Sequence, residues 1–286
     1  MNSTKFDLEN AKPPKADIED SVKRALDEDV KTGDVTASLI CETSRCKAEV
    51  TCRQNSVLCG ADWVNETFKS LDSSLLIEWM SEDGDHLREG QVVFKIEGNT
   101  RAILTGERTA INFLQTLSGT ATITAQYVKK IKNRKVKVLD TRKTVPGLRN
   151  AQKYAVVCGG GKNHRKGLFD GVLIKENHIK AAGSVATAIK KMRKKRPDLT
   201  IEVEVENVKE ISEALEARAD IILLDNFNEE ELATILPIES QDTKVEISGN
   251  INLEKIGKLS ELGIDYISVG ALTKNIQAID FSLKLI

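Results

Sequence analysis

With 286 residues the chain is long enough for a large hydrophobic core, and its length suggests about two domains. Charged residues make up 30% and hydrophobic residues 40%, the balance of an ordinary soluble globular protein. A formal net charge of -1 excludes a polycation that seeks nucleic acid through bulk charge, so any anion site must be local.

Residues 1–12 are expected to be frayed, with Pro13-Pro14 as punctuation, and this polar start has no apolar signal core. No apolar run elsewhere reaches membrane-spanning length, so neither a leader nor a membrane span is expected. Residues 16–29 have helical spacing at Ile18, Val22, Ala25 and Leu26, and a polar turn over 28–36 follows, with Gly33 as breaker. Strands are expected at 48–52, 56–59, 75–80 and 91–96, and a helix at 61–70 with Trp63, Val64 and Phe68 on its apolar side. Short strands mixed with helices, without regular alternation, indicate a small α+β unit. The five cysteines (Cys41, Cys46, Cys52, Cys59 and Cys158) lack a CxxC pair and read as reduced thiols of a cytosolic protein, not metal ligands.

Beyond Thr105 the texture changes. Residues 107–132 form a long helical stretch, interrupted near Ser118-Gly119, with Ile111, Leu114, Gln115 and Leu117 on one side. Apolar runs then recur at 136–139, 172–174, 201–205, 221–224, 245–247 and 266–269, with helical segments at 185–196, 208–217, 229–236 and 253–262 between the later ones. Strands that are apolar throughout and alternate with helices imply parallel strands buried on both faces. Such units suit a barrel or a doubly wound sheet. The strand ends favour the barrel: each run closes in polar or glycine residues, and a barrel gathers all of them at one C-terminal mouth.

The chemistry concentrates there. The first of these strands ends in Asp140, Thr141, Arg142 and Lys143, the second in Lys175, Glu176 and Asn177, and the connection carries Gly159-Gly160-Gly161, Asn163, His164 and Arg165. With Arg108 on the earlier helix, these cations need a bound anion or acidic partners to stand side by side. Arginine suits planar carboxylate and phosphate through paired donors, and lysine acts as a compact point charge. Glu204 and Asp225, on successive strand ends, could serve magnesium, sugar hydroxyls or a cationic transition state, or pair with the same cations. Strand alternation places Glu202 and Glu206 on the face of Glu204, so a further carboxylate could share that work. Ser248-Gly249-Asn250 and Val269-Gly270-Ala271 occupy the position of the barrel phosphate site. Gly159-Gly160-Gly161 reads as a turn that brings His164 and Arg165 inward. The run KKMRKKR before Pro197 reads as a solvated helix face, and His86 and His178 as structural.

The stretches EDVKTGDVTASLI, GERTAINFLQTLSGTAT, LDTRKTVPGLRNAQKYAVVCGGGKNHRKGLFD, LIKENHI, EVEVEN, DIILLDN, EISGN and DYISVGALTK together resemble the quinolinate phosphoribosyltransferase family, in order and over nearly the whole chain. The resemblance implies an α/β protein: an N-terminal α/β sandwich (α+β) domain over residues 1–115, then an open TIM-like α/β barrel over 116–274, with the tail 275–286 packed back on the first domain. It further implies a glycosyltransferase (pentosyltransferase) that joins quinolinate to phosphoribosyl pyrophosphate with Mg2+. Decarboxylation then gives nicotinate mononucleotide, pyrophosphate and carbon dioxide for de novo NAD biosynthesis. A cytoplasmic homodimer sharing its active sites between subunits is implied too, with no nucleic acid or membrane partner.

Carried over by motif, Arg108 (from the partner subunit), Arg142, His164, Arg165 and Lys175 would hold quinolinate. Thr141, Lys143, Glu204, Asp225, Ser248, Gly249, Asn250, Val269, Gly270 and Ala271 would face the phosphoribosyl group and its phosphates. Lys143, Glu204 and Asp225 would be catalytic, and Glu204 and Asp225 would serve the magnesium ion directly or indirectly. Two rivals keep the same fold: the molybdenum-associated paralogue, which should not need every dicarboxylate-binding cation, and a non-catalytic phosphosugar-binding protein, which should have lost Glu204, Asp225 or Lys143. All of these residues are present.

Overall fold

The computed structural model describes residues 8–238, 240 and 242–286. Of the start expected to be frayed, residues 1–7 lie outside this set, and residues 8–11 form a helical turn. The helix α1 (Lys15–Asp29) follows Pro14, and strands β1 (Arg45–Cys52) and β2 (Ser56–Val57) lead into α2 (Ala61–Leu71). Next come β3 (Leu76–Trp79), β4 (His86–Leu87), β5 (Val92–Asn99) and the long helix α3 (Thr100–Lys130). The chain continues through β6 (Lys137–Leu139), α4 (Arg149–Cys158), β7 (Val172–Ile174), α5 (Glu176–Ala182) and α6 (Val185–Lys195). It then runs through β8 (Ile201–Val205), α7 (Val208–Glu216), β9 (Ile221–Asp225) and α8 (Glu229–Ile235). It closes with β10 (Lys244–Ser248), α9 (Ile256–Leu259), β11 (Tyr266–Ser268), α10 (Ala271–Lys274) and β12 (Phe281–Leu285). Among the described residues no helix is long and apolar enough to cross a membrane.

Two compact units emerge. One comprises the chain up to Ala125 together with Thr144–Gly160 and Leu272–Ile286. Its antiparallel sheet has the order β12-β1-β5-β3, and alternation along β1 turns Ala48, Val50 and Cys52 inward. The C-terminal strand β12 thereby completes the sheet edge beside β1, with Val50 opposite Leu283. Helix α2 has two apolar sides: Val64 and Phe68 join the sheet core of Phe94, Ile96 and Ile103, while Trp63 joins Ile18, Val22, Phe113 and Tyr154. Helix α4 belongs to this unit because Tyr154, Ala155 and Cys158 are buried in the second of these clusters. All five cysteines are free thiols, with Cys52, Cys59 and Cys158 buried.

The other unit, Gln126–Lys143 and Gly161–Ala271, holds a six-stranded sheet in the order β6-β11-β10-β9-β8-β7. Every neighbouring pair in it is parallel. The first strand pairs with the last, and residues of β6, β8, β9, β10 and β11 line one common cavity, so the sheet is curled into an open barrel. A further parallel bridge from Leu139 to Lys162 flanks β6 on its outer side. Strand β8 is buried almost throughout, as its Ile-Glu-Val-Glu-Val sequence requires in a sheet covered on both sides.

The long helix corrects one expectation. It runs without a break from Thr100 to Lys130, through Ser118 and Gly119. Ser118 faces the core and pairs with Cys59 through both its backbone groups, its Oγ accepting from N–H at 3.0 Å and donating to the carbonyl at 3.2 Å. Gly119 is there for close approach: a Cβ on it would lie 2.2 Å from the Gln277 carbonyl oxygen. Glycine to alanine inside an ordinary helix stabilises by up to about 1 kcal/mol. Gly119→Ala is expected to do the opposite, costing about 1–3 kcal/mol by overpacking. Urea unfolding of the variant checks the sign, and a stabilised Gly119→Ala would show that the approach of residue 277 is not fixed.

Candidate active site

The site is built on the C-terminal ends of the barrel strands. Beyond Leu139, Asp140 is fully buried at 0% exposure. A buried carboxylate must find donors, and this one takes Asn163 Nδ2 at 2.7 Å and the His164 backbone N–H at 2.9 Å. Backbone bonds from Lys162 N–H to the Val138 carbonyl (2.8 Å) and from Asp140 N–H to the Lys162 carbonyl (3.2 Å) complete the seam. The segment carrying His164 and Arg165 is thus fastened beside the strand that ends in Thr141, Arg142 and Lys143. Gly160 takes a positive φ of 83°, as the expected turn requires.

Burial first, and then the charge of Arg142, lowers the Arg165 guanidinium from its usual value. Arg165 donates from Nη1 to the Gly171 carbonyl at 3.2 Å. The Nε of Arg142 is buried and has no hydrogen-bond partner among the described residues. Lys175 forms an ion pair with Glu204. His178 accepts the Lys175 backbone N–H at Nδ1 (3.0 Å), in keeping with a structural role at the start of α5.

Register places a row of polar side chains on the inner face. Glu204 stands opposite Leu223, Leu223 opposite Glu246, and Asp225 opposite Ser248. Side chains alternate along a strand, so Glu202, Glu204, Asp225, Glu246, Ser248 and Ser268 share that face. Glu206 lies past the end of β8, exposed, and its N–H donates to Glu210 Oε2 at 2.9 Å. At the rim, Asn226 donates from Nδ2 to Asp225 at 2.7 Å and from its backbone to the Ser248 carbonyl at 3.2 Å. Gly249 has φ +102°, and a Cβ there would lie 2.4 Å from Asn226 Oδ1, so only glycine fits. Asn250 also takes a positive φ, of 46°. A Cβ on Gly270 would sit 3.1 Å from Lys143 Cδ and 3.6 Å from Thr141 Oγ1, so these three residues converge. Val269 is buried and gives its N–H to the Leu139 carbonyl at 2.9 Å. Arg108 is exposed on α3, in the first unit.

Beneath the cations lie Glu202, which strand alternation places on this face, and Glu246, which sequence reading did not single out. His164 Nε2 is 2.8 Å from Glu202 and 3.8 Å from Glu246. Glu202 is 4% exposed and Glu246 not at all. Neither oxygen of Glu246, nor Oε1 of Glu202, has a partner in hydrogen-bonding geometry among the described residues. Burial, reinforced by the charge of Glu202 and opposed by His164, pushes Glu246 up to about 8. These side chains line a cavity of about 600 Å³ together with Arg165 and Tyr266. The signal for Glu246 was available in its place two residues before Ser248, on the same face of β10.

Known proteins resemble this chain over most of its length. Models of the quinolinate phosphoribosyl transferase N-terminal and C-terminal domains match residues 34–118 and 120–284. A Bacillus subtilis (strain 168) relative, described as a probable nicotinate-nucleotide pyrophosphorylase (carboxylating), is 40% identical over 259 residues, 90% of each chain. A Nicotiana tabacum relative, described as a mitochondrial quinolinate phosphoribosyltransferase (decarboxylating), is 35% identical over 99% of this chain and 87% of its own. The solved nicotinate-nucleotide pyrophosphorylase of Francisella tularensis superposes with a TM-score of 0.93 at 46% identity, covering 96% of this chain and 98% of its own.

The buried acid makes stability depend on pH. Glu246 titrates near 8 in the folded chain and near 4.5 when unfolded, so the folded state holds the extra proton between those values. Its contribution to stability is complete below the lower value and is lost as pH rises through the upper one. Glu246→Gln should therefore unfold at nearly the wild-type temperature near pH 5. Near pH 8 it should be more stable than wild type, by on the order of a few kcal/mol at most. Thermal melts at both values check this, and an equal difference between the two proteins at each pH would contradict it.

Proposed function

Because the chain belongs to the quinolinate phosphoribosyltransferase family, we propose that it joins quinolinate to phosphoribosyl pyrophosphate, releasing pyrophosphate and carbon dioxide and forming nicotinate mononucleotide for NAD biosynthesis. One observation carries this reading: the buried Nε of Arg142 has no hydrogen-bond partner among the described residues, and the charge of Arg142 acts on Arg165. Like charges that act on each other call for a shared anion, and a planar dicarboxylate offers an acceptor to each guanidinium. Lys175 and His164 would belong to the same wall, and Arg108, contributed by the partner subunit of a homodimer, would complete it. The enzyme would work in the cytoplasm on small molecules, with neither nucleic acid nor membrane as partner.

The phosphoribosyl group would lie over Thr141, Lys143, Glu204, Asp225, Ser248, Gly249 and Asn250. Val269 has its N–H committed to Leu139, so Gly270 and Ala271 would present the backbone donors of that turn to phosphate. Glu204 and Asp225 offer hard oxygen donors on neighbouring strand ends, each already bonded to Lys175 or Asn226. That set fits a magnesium ion that keeps its waters and is held mainly through substrate phosphates. Magnesium would supply charge neutralisation for the departing pyrophosphate.

The chain itself contributes position and electrostatics. The cations fix the acceptor so that its ring nitrogen faces C1 of the sugar. As that nitrogen attacks and the bond from C1 to pyrophosphate breaks, positive charge develops on the sugar, which Glu204 and Asp225 stabilise. The ring nitrogen of the adduct is positive, and it draws in the electron pair released when the adjacent carboxylate leaves as carbon dioxide. A proton then takes the vacated carbon. No covalent nucleophile is needed.

Steady-state kinetics test the assignment. Removing one charge-assisted fork should raise the KM for quinolinate by roughly 10- to 100-fold in Arg142→Ala, with the KM for phosphoribosyl pyrophosphate little changed. Arg142→Lys should recover only part, because a point charge cannot replace the fork. Arg108→Ala should show the same selective loss while remaining dimeric. Wild-type quinolinate affinity in either alanine variant would remove that arginine from the site.

A further inference from the structure

We propose that Glu202 is a positioning residue of the acceptor pocket: its buried carboxylate holds the Nε2 edge of His164, and through that ring it fixes the segment that carries Arg165. The inference rests on the function proposed above and assigns a task to a side chain that the motif carry-over leaves without one.

The bonds form a continuous chain. Glu202 Oε2 lies 2.8 Å from His164 Nε2, and His164 Nδ1 accepts the backbone N–H of Arg165 at 2.8 Å. These partners place the ring proton on Nε2 and the lone pair on Nδ1. Both ring nitrogens are therefore engaged by the protein, and the ring acts on the acceptor through Arg165. Glu246 stands further off, at 3.8 Å from Nε2, outside hydrogen-bonding distance. The same segment is held independently at its main chain by Asp140, which accepts the His164 N–H at 2.9 Å. Loss of Glu202 thus frees the ring while the segment stays fastened to β6.

That separation gives the inference its distinctive consequence. A side chain that served only stability would, when removed, affect both substrates alike. Glu202 acts on the wall that holds Arg165, whereas Lys143, Asp225 and Ser248 lie on other strand ends. Small displacements of a charged group at a reacting centre carry large costs, so the effect should be visible in binding of the acceptor.

The test compares Glu202→Ala, which removes the acceptor oxygens, with Glu202→Gln, which keeps one for the Nε2 proton. Glu202→Ala should raise the KM for quinolinate on the order of tenfold or more, with that for phosphoribosyl pyrophosphate within about twofold of wild type. Glu202→Gln should restore most of the quinolinate affinity. If the alanine variant fails to fold, Glu202→Met, close in volume to glutamate, carries the same expectation. Nitrogen-15 NMR of the imidazole rings gives a second readout, independent of turnover. His164 should show a hydrogen-bonded Nε2 proton in the wild type and in Glu202→Gln, but not in Glu202→Ala. An unchanged quinolinate KM, an equal rise in both KM values, or an unaltered His164 signal in Glu202→Ala would overturn the inference. A wild-type protein that makes no nicotinate mononucleotide would instead refute the function proposed above, and the His164 signal alone would then decide the role of Glu202.

Discussion

A carboxylate with no access to water must be satisfied by donors, and Asp140 meets that demand with the side chain of Asn163 and the backbone of His164. The consequence reaches beyond one residue. The strand β6 ends in cations, and the segment fastened to it delivers another, so the constraint at Asp140 sets Arg165 where the charge of Arg142 acts on it. In the function proposed here, a bound dianion would relieve that repulsion.

Beneath this cationic surface the barrel places acids in two tiers. Glu204 and Asp225 stand near the rim and share their oxygens with Lys175 and Asn226. Glu202 and Glu246 lie deeper, with His164 Nε2 2.8 Å from Glu202 and 3.8 Å from Glu246. In the function proposed here the upper tier would meet positive charge on the sugar. In the lower tier Glu202 would brace the ring whose Nδ1 accepts the Arg165 N–H. One inner face of a parallel sheet thus supplies both electrostatic stabilisation and support, because alternation puts every second residue of β8 and β10 inside.

Much of this was legible in the sequence, for physical reasons. Parallel strands buried on both faces read as apolar runs, and their polar ends expose the residues that chemistry uses. Arg142, Lys143, Lys175, Glu204 and Asp225 could be picked out for that reason. Glu246 was not, because it sits inside the run 245–247, which reads as apolar throughout. Gly119 was misread as a helix break, since its true neighbour, the backbone at Gln277, is remote in sequence. Helix α4 was hidden because it buries Gln152, whose Nε2 donates to the Thr273 carbonyl at 2.8 Å and whose Oε1 accepts the Val145 N–H at 2.7 Å. Polar groups satisfied in this way erase the amphipathic stripe by which helices are recognised.

The central claim is that the crowded cations select a dicarboxylate acceptor which then loses one carboxylate. It is tested most directly by supplying the purified protein with phosphoribosyl pyrophosphate, magnesium and quinolinate isotopically labelled in the carboxylate next to the ring nitrogen, with nicotinate in a parallel tube. Mass spectrometry should find unlabelled nicotinate mononucleotide and labelled carbon dioxide from quinolinate, and no nucleotide from nicotinate. Product from nicotinate alone, or no product from either acceptor in folded protein, would contradict the account.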